Sequence, residues 1–191
     1  MTKTEVLLDG VFIIQNDVFK DSRGKFYSSH GVGRVSENAI QDFEVAQINN
    51  SISASGVIRG IHFSKATNGQ AKLVTCLRGS IMDFVIDLRF GSKSFLNFVT
   101  VNLKEFDGKS IFIPHGYGHG FLSLEDETII SYALSSPYSP SDEYSISPMD
   151  PLIKHVWGRS NFVLSDRDKD APGFEAAIKS GLLGLDKSNL T

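Results

Sequence analysis

The chain has 191 residues, 41% of them hydrophobic, enough apolar material for a real core and too much for a disordered segment. Its net charge of −3 leaves no basic footprint for nucleic acid, although locally placed Arg and Lys can still hold a small anion. Cys76 is the single cysteine, which excludes an intramolecular disulfide and a multi-cysteine zinc site.

One domain over 1–191 is expected from the length and the even composition. The start, Met1-Thr2-Lys3-Thr4-Glu5-Val6, has no apolar run of the signal-peptide kind, and no stretch reaches the ~18 apolar residues of a spanning helix. A cytoplasmic protein without membrane contact is the expectation. In chain order, β-rich runs rich in Val, Ile, Phe and Thr fall at Val6–Ile14, Phe43–Ile48, Val57–Phe63, Lys72–Leu77, Ile81–Leu88, Asn97–Leu103, Ser110–Ile113, Gly120–Leu124 and Thr128–Leu134. Turn residues such as Arg78-Gly79-Ser80 and Phe106-Asp107-Gly108 separate them. Many short strands with no helical period between them predict an all-β antiparallel sandwich or barrel. Two short helices are expected, one over 35–40 and one over Phe174–Gly181, the second entered by Pro172 and ended by Gly181. The polar end, Asp186–Thr191, is expected to fray.

The chemistry concentrates in Val57-Ile58-Arg59-Gly60-Ile61-His62-Phe63 and in Gln70-Ala71-Lys72-Leu73-Val74. A base and two cations lie on segments that read as buried strand, and buried charge is costly unless paired or used. Strict alternation puts Arg59 and His62 on opposite faces, but a bulge at Gly60 turns both toward one cavity. Alternation also places Gln47, Asn49 and Ser51 on one face, read here as a polar wall of a cavity. His119 sits in a Gly/Pro-punctuated turn leading into a strand, with cavity-facing and structural readings equally weighted. The phenols of Tyr132 and Tyr138 read as structural on their own. The same holds for His30, His115 and His155. Leu164-Ser165-Asp166-Arg167-Asp168-Lys169-Asp170 reads as a solvated loop, and Cys76 as a buried thiol. No His-X-His pair occurs, so no metal is expected.

Taken together and in order, from about residue 10 to 170, these elements resemble the dTDP-4-dehydrorhamnose 3,5-epimerase family: Asp21-Ser22-Arg23-Gly24, Gln47-Ile48-Asn49, Arg59-Gly60-Ile61-His62, Lys72-Leu73-Val74, Arg78-Gly79-Ser80, Asp83 to Arg89, Ile113-Pro114, Gly118-His119-Gly120-Phe121 and Leu164 to Asp168. The resemblance implies a double-stranded β-helix jelly roll (cupin-like), a homodimer, and cofactor-independent epimerisation of a nucleotide-linked 4-keto-6-deoxyhexose. It implies His62 as general base, Asp168 as its carboxylate partner, Lys72 beside the C4 oxygen and Tyr132 as acid on the opposite face. It further implies that Arg59, His119, Gln47, Asn49, Glu143 and Arg167 hold the nucleotide sugar. Arg23 and Phe26 would reach in from the partner subunit, and Tyr138 would pack on the base. The family's glutamate shortly after the Asp-X-Arg-Gly element is replaced here, in Phe26-Tyr27-Ser28-Ser29, by Ser28. The chain looks closer to the branch serving unusual deoxysugars, with inversion at C5 expected and C3 left open. A nucleotide-sugar 3,4-ketoisomerase and a non-catalytic sugar-binding jelly roll are the other two readings. The four groups His62, Lys72, Tyr132 and Asp168 weigh against the binder, which needs no base and acid.

Overall fold

The computed structural model describes residues 3–29, 43–65 and 69–183. The helix expected over 35–40 and the tail over 186–191 lie outside them. The described strands are β1 (Lys3–Leu8), β2 (Val11–Gln15), β3 (Phe19–Asp21), β4 (Gly24–Phe26), β5 (Gln47–Ser53), β6 (Ile58–Ser64), β7 (Lys72–Arg78), β8 (Ser80–Asp87), β9 (Phe98–Lys104), β10 (Lys109–Ile113), β11 (Tyr117–Ser123), β12 (Thr128–Leu134) and β13 (Glu143–Ser145). They form a six-stranded sheet in the order β1-β2-β10-β7-β12-β5, a five-stranded sheet in the order β13-β6-β11-β8-β9, and a β3-β4 hairpin. The strand pairs are antiparallel. Two such sheets packed face to face are the expected jelly roll.

Alternation explains how the sheets meet. Val11 and Ile13 of β2, Val74 and Cys76 of β7, and Ile130 of β12 face Ile81 and Val85 of β8 and Tyr117 and Phe121 of β11 in one inner cluster. The intervening residues of β2 are buried as well: Phe12 and Ile14 pack on the outer side with Phe43, Leu73 and Phe112. The other sheet is covered outside by Ile146, Ile153, Trp157, Phe174 and Ala177, against Phe84, Ile86 and Leu122. These covering residues come from a 3₁₀ turn (Lys154–Trp157), the helix α2 (Phe174–Lys179) and the chain around them; the helix α1 (Asp166–Lys169) precedes α2. No helix among the described residues is long and apolar enough to cross a membrane.

Three expectations need correction. The run 6–14 is two strands, turned at Asp9-Gly10 where Gly10 has φ +80°; an Asp-Gly pair between two apolar runs is a hairpin signal that was there to be read. The strand expected over 43–48 begins at Gln47, and Phe43 instead packs edge-on against Phe112. The charged run after Leu164 is no solvated loop: Ser165 caps α1 by accepting the Asp168 N–H, and Asp168 is buried. The expected helix at Phe174 forms as Phe174–Lys179.

At the end of β8, Asp87 is fully buried and receives Arg89 Nε and Nη2, Ser92 Oγ and Ser94 Oγ at 2.6 to 3.0 Å. Burial pushes its carboxyl up, but Arg89, Ser94 and Ser92 more than offset this and hold it at about 2. A depressed carboxylate stabilises the fold above its unfolded value near 4, and that contribution is lost as pH falls toward 2. Asp87→Asn is therefore expected to lose about 2 kcal/mol at pH 7. Its stability should then vary less than that of the parent between pH 4 and 2, as urea unfolding at stepped pH would read.

Candidate active site

The site is built around an irregularity in β6. His62 pairs with His119 and Arg59 with Phe121, so β6 spends three steps where β11 spends two. The extra residue is the expected bulge, and Gly60 makes it possible. Its φ is +111°, and a Cβ there would sit 2.6 Å from the His119 carbonyl oxygen and 2.7 Å from Gly120 Cα. Through this bulge Arg59 and His62 both line one cavity of about 420 Å³. Lys72, His119, Tyr132, Arg167 and Asp168 line the same cavity, with Val57, Phe121, Val163 and Leu164 as apolar walls.

His62 and Asp168 are coupled: Nε2 lies 2.7 Å from Oδ1, with 33% of the imidazole exposed and 3% of the carboxylate. Asp168 Oδ2 also accepts the Gly60 N–H at 3.4 Å. Burial pushes Asp168 up, but His62, Ser165 and the Gly60 amide pull it further down, so it is ionised at neutral pH. An ionised carboxylate only accepts, which puts the ring proton on Nε2 and leaves Nδ1 with the free lone pair.

Lys72 is buried on the inner face of β7, and burial pushes its ammonium below the ordinary lysine range. The charges of Glu143 and Asp83 oppose that push, while Arg167 adds to it. Tyr132 comes from β12, beside Val74 of β7 and Asn49 of β5. His119 is buried, its Nε2 2.8 Å from Asp83 Oδ2. The two arginines are held in place. Arg59 donates from Nε to Ser53 Oγ and from Nη2 to the Ile52 carbonyl, each at 3.0 Å, and Arg167 donates from Nε to Ser145 Oγ at 2.8 Å.

Other expected site residues stand outside the cavity lining. Gln47 and Asn49 are half-buried on the inner face of β5, linked at 2.7 Å, and Gln47 Oε1 accepts the Tyr138 N–H at 2.9 Å. Glu143 begins β13 and accepts from Gln70 Nε2 at 3.2 Å. Arg23 and Phe26 lie on the β3-β4 hairpin around a separate groove, with Arg23 paired to Asp21 at 2.6 Å. They are not part of the cavity lining. Sequence reasoning did not pick out Ser53, Ser145, Ser165, Gln70 and Asp83. The Ser165-X-X-Asp168 spacing is a helix-start signal that was there to be read, and Asp83 is an acid within an apolar strand. Cys76 is a buried thiol pushed up to about 12 by burial, and it serves the core. Among the described residues no three His, Cys, Asp or Glu side chains gather as metal ligands.

A jelly roll whose cavity holds a carboxylate-braced imidazole, a buried ammonium and a phenol defines a protein equipped for proton transfer. The family model for dTDP-4-dehydrorhamnose 3,5-epimerase matches residues 5–176. The dTDP-4-dehydrorhamnose 3,5-epimerase of Mycolicibacterium smegmatis is 39% identical over 184 residues, 96% of this chain and 90% of the relative. The 4-keto-6-deoxy sugar epimerase of the novobiocin gene cluster of Streptomyces spheroides superposes with a TM-score of 0.92 at 35% identity, covering 98% of this chain and 95% of its own. A 3'-monoepimerase from Streptomyces bikiniensis, solved with dTDP-quinovose, gives 0.89 at 32% identity over 97% of this chain and 94% of its own. A doubly substituted form of that enzyme replaces a histidine and a tyrosine spaced in sequence as His62 and Tyr132 are here. The chain belongs to the dTDP-4-dehydrorhamnose 3,5-epimerase family, and it is an isomerase.

Proposed function

We propose that the protein takes the protons flanking the 4-keto group of a dTDP-linked 4-keto-6-deoxyhexose, at C5 and C3, and returns a proton to the opposite face. The observation that carries this is the origin of the side chains. His62 stands on the five-stranded sheet and Tyr132 on the six-stranded one, and both line one cavity with the buried Lys72. A sugar lying between the sheets then has a base on one face and a phenol on the other. His62 Nδ1 takes the proton, the bonding pair moves onto the ketone oxygen, and Lys72 stabilises that oxygen as an enolate. Asp168 stabilises the imidazolium that forms. Tyr132 protonates the carbon from its own side; its phenolate is then reprotonated by solvent and the His62 imidazolium gives its proton up to solvent. Arg59, Arg167 and His119 supply the donors for the diphosphate, for which a planar guanidinium is well shaped. Gln47, Asn49 and Glu143 flank the sugar, and Tyr138 packs on the base.

Both α carbons are acidified by the same carbonyl, so the ketone's chemistry permits either site. The monoepimerase's histidine and tyrosine argue that a phenol alone does not set the number of centres inverted. Arg23 and Phe26 are proposed to act on the partner subunit of a homodimer. The hairpin that carries them exposes 62% of Phe19 and 68% of Phe26, large apolar rings suited to a protein contact. Incubation with dTDP-4-keto-6-deoxyglucose in D₂O, followed by proton NMR, tests the reading. Deuterium should enter at C5 and C3 with inverted product, and absence of exchange at both carbons overturns it. A sedimentation mass of one chain would overturn the dimer.

A further inference from the structure

Asp83 occupies an unusual place. It lies in β8 on the same inward face as Ile81 and Val85, fully buried between the sheets, behind the cavity wall made by His119 and Phe121. Its Oδ2 is satisfied by His119 Nε2 at 2.8 Å. Its Oδ1, although buried, has no hydrogen-bond partner among the described residues. The two His–carboxylate couples of the site therefore differ. Asp168 shares its second oxygen with the Gly60 amide, whereas Asp83 leaves its second oxygen undamped by any donor. An undamped carboxylate in a low-dielectric interior needs a cation nearby to be tolerated. Lys72 is buried on the face of β7 that carries Val74 and Cys76, the face turned toward Ile81 and Val85 of β8, and there the charge of Asp83 opposes loss of its proton.

We propose that Asp83 is a positioning residue, whose charge holds Lys72 as an ammonium ion and whose Oδ2 holds the His119 ring, both from behind the cavity. This rests on Lys72 being the group that stabilises the enolate. Such a group is useful only while protonated, and the dry cavity that strengthens its pull on the enolate also favours loss of its proton. Asp83 counters that loss without touching substrate, and Glu143 does the same from β13. Arg167 acts against both, and Arg59, His62, His119, Tyr132 and Asp168 are the other charged or titratable groups lining the cavity.

The test reads Lys72 directly rather than through turnover. In protein labelled with [ε-¹³C]lysine, the resonance that Lys72→Met removes is titrated by NMR. Asp83→Asn keeps the size of the side chain and removes its charge. It is expected to move the Lys72 midpoint down by about one pH unit, a tenfold change in the ratio of the two forms. His119→Gln, which leaves the Asp83 charge in place, should leave that midpoint no lower than in the parent. An unchanged midpoint in Asp83→Asn overturns the proposal, as does an equal fall in both variants, which would make Asp83 only a tether for the ring. If the parent enzyme exchanges deuterium while Asp83→Asn leaves Lys72 unmoved, this inference fails alone. If the parent exchanges none, the functional reading fails instead.

Discussion

Replacing His62 with glutamine is expected to lower deuterium exchange at C5 and C3 by about 10³-fold, within the usual range for loss of a general base. Its amide reaches the place of Nε2 and can still donate to Asp168 but has no basic nitrogen, so the loss belongs to proton abstraction and not to the scaffold. Alanine at the same position separates chemistry from folding. It leaves the Asp168 carboxylate buried without its imidazole, at an expected further cost of about 1–3 kcal/mol at pH 7. The sign follows from the direction of the Asp168 shift. A carboxyl held below its ordinary range stabilises the fold above pH 4, and that contribution disappears as acid protonates it. His62→Ala, having lost much of that depression, should therefore differ less from the parent at pH 3 than at pH 7. The expected order of stability at pH 7 is parent, Gln, Ala, with Gln and Ala equally inactive. An Ala variant as stable as the Gln variant, or a Gln variant that still exchanges, would contradict the pairing of base and carboxylate.

The reading of the strands from sequence succeeded where one face carried the signal. The segments around Arg59, His62 and Lys72 were legible because cations and a base do not sit in apolar strands without a use, and Gly60 announced the bulge that aligns two of them. The signal failed where both faces of a strand are covered. In β2, Phe12 and Ile14 pack outward as firmly as Val11 and Ile13 pack inward, so nothing in the alternation marked the turn at Gly10. The β3-β4 hairpin was missed because three-residue strands that are exposed throughout carry no period. The helix at Asp166 was masked by its own charges: Asp166, Arg167, Lys169 and Asp170 face water, and the buried Asp168 differs from them only in position. Its role came from the family resemblance, not from pattern. Asp83 lay in a motif already picked out and was passed over because its neighbours, Ile81, Phe84 and Val85, read as core. Partners such as Ser53 for Arg59 and Ser145 for Arg167 follow from tertiary pairing, which a single sequence does not display.

Lys72→Met is expected to reduce exchange at both carbons by about 10²–10³-fold, the usual effect of removing one donor from a developing oxyanion. The larger interest is its opposite effect on folding. Burial pushes the Lys72 ammonium below its ordinary range despite Glu143 and Asp83, so the folded state binds that proton less firmly than the unfolded chain does. Stability contributed at this position consequently rises as pH climbs from the folded value toward the unfolded one, and at neutral pH the charge works against the fold. Methionine fills a similar volume without a charge, so its melting temperature at pH 7 should not fall below the parent's. The parent should gain on the variant as pH approaches 10. Loss of activity together with lowered stability would mean that Lys72 braces the fold, and the enolate would then need another cation. Arg59 and Arg167 are tied by Ser53 and Ser145, which leaves Lys72 as the ammonium suited to that charge among the described residues lining the cavity.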